Sequence, residues 1–464
     1  MKRYIGFITV AVVAIFLSAC IGSGGSSAPA PNNVHVVAKD SRVIVTWDMA
    51  SGVEYWIFHA NGSGVTPQNC ASMPLCYTAV NVSSPASIPS LYNGYTYSFS
   101  INGRMNGGPG GPGSTAAQTM PTLAGATWTS DTLTTTSNLL GVAYGAYDAS
   151  GARYVASGTA GALYSGVVYT IVDPITGLAK TGITWTALVN PLAPTTADFN
   201  AVNYDSYRGK YLSVGTGGTM IAMTPATSTA WTPLTGYTGG KSLLAIANNG
   251  AGFTVVTGVA GTTSSTIIHS ADGGATWTPA TSINPAATAN LNGVAYGYVI
   301  ASGVGVNRFV AVGASGTLLW SDDGDNWTNV TSTSPVSTEI KGVTYGLVGT
   351  SGSTVGTFVA VTADGKVITS TDGSTWTTPV AVPSVSAPLN AVTASANAVT
   401  PLLTTVTNAF VAVDNAGNIF RSTDGGLTWP RVNTGSGSSL NAIIRGGLFD
   451  YSAVGSAGLN RYAD

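Results

Sequence analysis

One pattern recurs seven times along this 464-residue chain and limits what it can fold into. A short apolar segment appears as LLGVAY at Leu139, FNAVNY at Phe199, LLAIAN at Leu243, LNGVAY at Leu291, IKGVTY at Ile340, LNAVTA at Leu389 and LNAIIR at Leu440. The central Val or Ile stands at 142, 202, 246, 294, 343, 392 and 443, so the spacings are 60, 44, 48, 49, 49 and 51. Each segment is followed by a second alternating run, such as RYVASG or RFVAVG, and a third that begins with small residues, such as SGTLLW or DGKVIT. A tryptophan then closes the unit. Alternation with period two reads as half-buried antiparallel strands. A period of this length marks a repeat architecture. The tryptophans are Trp128, Trp185, Trp231, Trp277, Trp327, Trp376 and Trp429. The first precedes the first apolar segment and none follows the last, so the frame is shifted by one strand. The strand at Trp128 is expected to complete the sheet begun by Leu440 to Asp464.

That join makes a ring. An open stack of parallel strands, the alternative arrangement, leaves two raw edges and needs caps. A closed ring of four-stranded sheets leaves no long edge bare. The expectation is therefore a seven-bladed β-propeller over residues 122–464. The residue before each central Val or Ile is Gly141, Ala201, Ala245, Gly293, Gly342, Ala391 or Ala442. Innermost strands converge at an axis, where larger side chains collide. Composition agrees: Gly numbers 59 and charged residues are only 8%. A net charge of −2 offers no basic stripe for phosphates, so nucleic acid is not an expected partner.

Four turns carry a signature. SADGGATW begins at Ser270 and STDGGLTW at Ser422, while SDDGDNW at Ser321 and STDGSTW at Ser370 are shorter by one residue. These resemble the Asp-box, or BNR repeat, of sialidases, sortilin-type receptors and photosystem II assembly factors. In that resemblance the box lies between third and fourth strands, away from the usual binding face. Ser270, Asp272, Gly274 and Trp277, Asp323 and Trp327, Asp372 and Trp376, and Ser422, Asp424, Gly426 and Trp429 are then structural. The Asp can accept turn N–H bonds, Gly supplies positive φ and Trp wedges between sheets. Asp322, Asp323 and Asp325 look calcium-like locally but lack an EF-hand's spacing and distal Glu. No metal and no cofactor is expected.

The N-terminus reads as an address. Lys2 and Arg3 precede the uncharged, mostly apolar run Tyr4–Ala19, too short to span a bilayer comfortably. Leu17-Ser18-Ala19-Cys20 resembles the lipobox of bacterial lipoproteins, in which residues 1–19 are removed and Cys20 is lipidated. With Ile21 rather than Asp after the Cys, the resemblance implies outer-membrane sorting, periplasmic or surface-facing, through acyl chains. Residues 20–33, with Gly, Ser and two prolines after the Cys, read as a flexible linker. Residues 34–121 carry the alternating runs VHVVA, RVIVTW and YWIFH, then Tyr95, Tyr97, Phe99 and Ile101. Trp47, followed later by Leu91-Tyr92-Asn93-Gly94-Tyr95-Thr96-Tyr97, resembles the fibronectin type III domain with its tyrosine corner, a small antiparallel β-sandwich. Cys70 and Cys76, an even pair in an exported chain, are expected to form a disulfide. The fold class is thus all-β: a sandwich, then a propeller with N/C-terminal strand closure.

Function is less legible. Asp198 and Glu339 are the acidic residues immediately before an innermost strand. If the chain is an enzyme, they are the candidate catalytic pair, although three blades apart in a ring is wide for two-carboxylate chemistry. Tyr144, Tyr204, Tyr296 and Tyr345 recur after the first strand and are expected to pack on neighbouring blades. Tyr147, Tyr207 and Tyr298 in the same loops are a candidate binding rim. The 60-residue spacing places an insertion at Gly166–Thr184, where a partner-specific loop is expected. The leading expectation is a non-catalytic envelope lipoprotein binding a protein or glycan partner in adhesion, assembly or scaffolding. The alternatives are a cell-surface carbohydrate-active enzyme, sialidase-like or another propeller glycosidase, and a chaperone for a membrane complex.

Overall fold

The computed structural model describes residues 25–463, apart from 149–150, 194–195, 227, 351–352, 384, 386, 396–404, 407–408, 436 and 448–449. The expected signal segment and Cys20 lie outside the described residues. The described chain is all-β: short strands, with 3-10 turns of three residues as the only helical elements. It divides into two compact units. One holds Thr46–Ala86 and Thr96–Gln118 with the residues up to His35; the other holds Val36–Val45, Ser87–Tyr95 and Thr119–Asp464. The division therefore runs through the stretch 34–121 rather than around it. Two bonds show why Val36–Val45 counts with the larger unit. Lys39 Nζ donates to Thr181 Oγ1 (2.9 Å), and Asp40 Oδ2 accepts from the Ala124 N–H (3.0 Å).

In the smaller unit, Ser26–Ser27, Tyr97–Met105, Val53–Asn61 and Tyr77–Val82 form one sheet in that order, and Ala117–Thr119 also pairs with Tyr97–Met105. Tyr55, Ile57, Phe99 and Ile101 are buried, but so are Ser98, Ser100 and Asn102 between them, so the expected half-buried strand is here covered on both faces. Trp47 meets Tyr55 edge-on at 5.6 Å. Cys70 and Cys76 are joined in a disulfide, and Cys70 is buried in a cluster with Phe58, Ala60 and Val65. The expected flexible linker is partly a strand. Ser26 pairs with Met105 and Ser27 with Arg104, and Ala28 is buried with its N–H on Gly103 O (3.2 Å). The Gly-rich 107–113 segment makes room for it, because a Cβ on Gly111 would collide with Ala28 O. A separate three-stranded sheet joins His35–Lys39, Arg42–Thr46 and Ala86–Ile88.

The larger unit repeats one motif seven times. Sheets 1 to 7 begin at Leu139, Phe199, Leu243, Leu291, Ile340, Leu389 and Leu440, the expected apolar segments. Each is an open antiparallel sheet of four strands in sequence order. Sheet 4 adds Ser282–Asn284, parallel to Asn326–Asn329, and sheet 5 adds Thr405–Val406. Sheet 7 takes its fourth strand from the start of the unit, with Thr129 opposite Tyr462 and Thr132 opposite Leu459. First strands lie side by side from sheet to sheet, and Leu440–Arg445 lies in turn against Leu139–Asp148. At that approach a Cβ on Gly141 would stand 3.0 Å from Ala201 Cα, so the small residue there is a packing requirement.

Between sheets lie apolar layers, such as Val359, Val361, Leu389, Phe410, Phe420 and Trp429, all essentially inaccessible. Each such side chain contributes about 1.5–3 kcal/mol through burial. A polar link runs beside these layers. Asn200, Asn292, Asn390 and Asn441 each donate from Nδ2 to the carbonyl of the first residue of the next sheet: Leu243, Ile340, Leu440 and Leu139 (2.8–3.0 Å). The last of these joins sheet 7 to sheet 1.

Candidate functional site

Strand direction alternates, so first–second hairpins and third–fourth turns share one end of the larger unit. Second–third turns and inter-sheet connections share the other. The four Asp-boxes occupy third–fourth turns. Ser270 Oγ donates to Asp272 Oδ1 (2.8 Å) and accepts from the Gly274 N–H (2.9 Å). Asp272 accepts from both the N–H and the hydroxyl of Thr276, and Trp277 Nε1 donates to Gly274 O. Ser321–Asp323–Trp327 and Ser422–Asp424–Trp429 repeat this wiring. Ser370 and Asp372 keep it too, while Trp376 Nε1 finds no protein acceptor. Burial pushes these carboxyls up, but the hydrogen bonds from turn groups outweigh it, leaving Asp272 and Asp323 at about 2 and Asp372 and Asp424 below the ordinary value. Carboxylates held this way are turn braces.

Basic side chains of the preceding sheet clasp two of these turns, those of sheets 3 and 5. Arg208 donates to Ala271 O (2.6 Å) and Gly252 O, and Lys210 to Gly273 O (2.7 Å). Arg308 lies 3.8 Å over Trp320, grips Asp322 with two nitrogens and donates to Asp372 O. The calcium-like trio is thereby consumed. Asp322 pairs with Arg308, Asp323 braces its box, and Asp325 accepts from the N–H and hydroxyl of Thr281. Among the described residues no cluster of His, Cys, Asp and Glu is suited to a metal ion.

The candidate carboxylates occupy the opposite end, in separate sheets. Asp198 Oδ1 accepts from the Ala160 N–H in the second–third turn of sheet 1 (2.9 Å). The same position does the same work elsewhere: Asn138 for Ala457, Ser242 for Gly217 and Asn290 for Ala260. Asp198 is thus an inter-sheet cap. Glu339 accepts from Asn292 Nδ2 (2.9 Å) and lies 3.5 Å from Lys341 Nζ.

The expected rim separates into two classes. Tyr147 is buried, at 4% exposure, with Arg153 4.6 Å over its ring and Tyr211 packed edge-on. It is a core residue, because the hairpin folds Arg153 back over it. Tyr207 and Tyr298 are exposed, at 66% and 54%. The recurring Tyr204 and Tyr345 fill the space a side chain on Gly145 or Gly297 of the preceding sheet would take. That is the expected packing role.

The expected insertion is not a loop. Leu163–Val172 and Ala179–Ala187 pair throughout as a ribbon, from Tyr164 opposite Ala187 to Val172 opposite Ala179. Asp173 closes its tip by accepting from the Ile175 and Thr176 N–H groups (both 2.9 Å). One edge is anchored by buried Ala179, Thr181 and Ile183. Exposed on the remainder are six aliphatic side chains, Val167, Val168, Ile171, Val172, Leu178 and Ile175, the last at 92% exposure, interspersed with exposed Thr170, Thr176, Lys180 and Thr184. Beside it opens a cleft of about 480 Å³ lined by Leu133, Tyr164, Tyr169, Ile183 and Trp185. Exposed aliphatics beside a cleft that mixes Tyr164, Tyr169 and Trp185 with Thr134 and Thr184, and no cluster of charges, suit a partner segment that combines apolar anchors with hydrogen-bonding groups better than a strongly ionic one. A second groove of about 490 Å³, between Ala286–Asn290 and Ala314–Thr317, holds only small and uncharged side chains.

No known protein family and no curated protein matches this sequence. Solved structures do match. YCF48 bound to D1 peptide aligns with 16% identity over 72% of this chain and 94% of that chain, at a TM-score of 0.50. The WD40 β-propeller domain of Doa1 aligns with 13% identity over 72% of this chain and 95% of that chain, also at 0.50. At such identities the likeness is one of fold, and the fold is propeller-like.

Proposed function

We propose that this chain is a non-catalytic cell-envelope lipoprotein, acylated at Cys20, whose seven repeats close into a seven-bladed propeller that binds a protein partner. The single observation that carries the binding reading is the aliphatic ribbon with its aromatic cleft, the largest departure from the repeat. A propeller of similar fold, YCF48, is solved with a peptide bound. The pairing of Thr129–Thr132 with Leu459–Ala463 and the bond from Asn441 to Leu139 support closure. The sheets before residue 121, with Trp47 against Tyr55, are read as a fibronectin type III-like spacer. The separate local duties of the two carboxylates, Asp198 capping the Ala160 amide and Glu339 holding the Asn292 side chain, support a non-catalytic reading over a glycosidase.

The test is site-specific photocrosslinking from Ile175 in cells, with the crosslinked protein identified and its affinity then measured. Ile171→Asp and Trp185→Ala are expected to weaken binding about tenfold or more, as loss of apolar anchors does. Tyr207→Ala, elsewhere on the same end, should change it little. Unaltered affinity in both ribbon variants would remove the ribbon as the binding site. Sugar release from an envelope polysaccharide, abolished by Asp198→Ala or Glu339→Ala, would overturn the non-catalytic reading.

A further inference from the structure

The lipid anchor read at Cys20 is followed by far less slack than a linker running to Asn33 would give. Ser26 and Ser27 are already paired with Met105 and Arg104, and Ala28 is locked beneath Gly103. Gly25 lies so close to Gly108 that a Cβ on either would overlap the other's backbone. Only six residue steps therefore separate Cys20 from a fixed point. Fully extended, they reach about 20 Å. A chain loose as far as Val34 would reach about 50 Å.

Strand direction says which end of the smaller unit that leash holds. Ser26 lies opposite Met105, which also pairs with Val53, so the chain enters where the strand Tyr97–Met105 ends and the strand Val53–Asn61 begins. The turns there are Met49-Ala50-Ser51-Gly52 and Asn106-Gly107-Gly108-Pro109-Gly110, both uncharged. Met49 is half exposed, and the neighbouring Asp48 carboxylate is bonded to Asn33 Nδ2 (2.8 Å). The nearby Glu54 is paired with Arg104 (2.8 Å). A tip without unpaired cations or a carboxylate cluster meets a headgroup layer with little ion desolvation. We propose that this end of the smaller unit is a membrane-contact surface, held against the bilayer by a six-residue leash from acylated Cys20. The proposal rests on the anchor reading, and it makes the small unit a fixed stand rather than a cap on a flexible stalk.

The test uses full-length acylated protein in phosphatidylethanolamine–phosphatidylglycerol vesicles carrying a short-range quencher on the headgroups. A fluorophore is placed at Ser51→Cys, in the proposed contact, or at Ser63→Cys, beyond the other end of the same strand. Nine residues separate Val53 from Asn61 inclusive, about 30 Å of strand. Quenching at Ser51→Cys is expected to exceed that at Ser63→Cys by about fivefold or more. Ten Gly/Ser residues inserted between Ser23 and Gly24 should erase the difference. Gly108→Val, which wedges the Gly25–Ser26 strand away, should reduce it. Mass spectrometry reports the acyl group independently. An unmodified Cys20 would overturn the anchor, and the proposal with it. Acylated protein with equal quenching at both sites, or a difference that survives the insertion, would overturn the leash alone.

Discussion

Sheets 3 to 6 close their third and fourth strands with a Ser–Asp–Gly–Trp turn, whereas sheets 7, 1 and 2 do not. In the boxed group a few residues do three jobs. The serine and aspartate bond the turn amides, the tryptophan wedges into the adjoining layer, and an arginine of the preceding sheet clasps the turn carbonyls in sheets 3 and 5. In the unboxed group the same position is spent differently. Sheet 1 extends it into the exposed ribbon, and sheet 7 divides it between the two ends of the unit. Sheet 7 retains half a box: Trp128 Nε1 donates to Gly125 O (3.0 Å), the bond that Trp277 makes to Gly274. Trp185 and Trp231 have no such bond. A self-contained turn frees its sheet from its surroundings. A turn without one must be held by neighbours or can be used to hold something else.

The largest expected contrast is between tryptophans. Trp429→Ala removes a fully buried wedge and should cost about 3–5 kcal/mol in denaturant unfolding, as large core truncations do. Trp185→Ala, at a partly buried site, should cost less, roughly 1.5–3 kcal/mol. Equal losses would break the distinction between boxed and unboxed sheets. Next come the inter-sheet asparagines. Asn441→Ala, at the junction of sheets 7 and 1, and Asn200→Ala, at an internal junction, should each cost about 1 kcal/mol. A negligible loss at Asn441 alone would show that the last junction is not equivalent to the others.

Acid should separate the groups more gently. Asp272 and Asp323 titrate at about 2 when folded, against an ordinary value of 3.8. A depressed carboxyl stabilises above its unfolded pKa and loses that contribution as pH falls through the folded one. Protection from hydrogen exchange at the Thr276 and Asn326 amides should therefore decline between about pH 4 and pH 2, while amides of the sheet 1 ribbon stay level. The total effect should be below about 1 kcal/mol per box, because these carboxylates are largely solvated. The smallest effect concerns left-handed residues in second–third turns. Ala160, Ser315 and Ala457 hold φ near +50°, where sheet 2 uses Gly217. Ala457→Gly should be neutral or stabilise by about 0.5 kcal/mol, read as a small rise in Tm.

Much of the site is legible in the sequence. The boxes, the disulfide and the packing role of the recurring tyrosines follow from short-range chemistry, in which the partners lie within a few residues or at a fixed repeat offset. Two further signals stood in the sequence unread. One is the Asn after the first residue in FNAV, LNGV, LNAV and LNAI, which bridges sheets. The other is Gly125-Ala126-Thr127-Trp128, which copies Gly274-Ala275-Thr276-Trp277. Tyr147 misled because nothing local says that Arg153 folds over it. Asp198 misled because a carboxylate at a mouth and a carboxylate capping an amide look alike until the amide is placed.

Sequence alone determined the repeat, its strand count and its turn chemistry, since periodicity and local hydrogen bonding are written residue by residue. It also determined the phase shift that sends Trp128 to the tail. Tertiary structure decided which residues are available to anything else. It decided that a 60-residue spacing becomes a paired ribbon with its aliphatic side outward, and that Gly- and Ser-rich residues after position 25 are a strand rather than slack. The second outcome depends on a partner some 80 residues away, Met105 for Ser26, and the first on which side of a locally paired ribbon finds a core to cover it. Whether a segment is ordered turns on what its backbone amides find to bond, which composition does not specify.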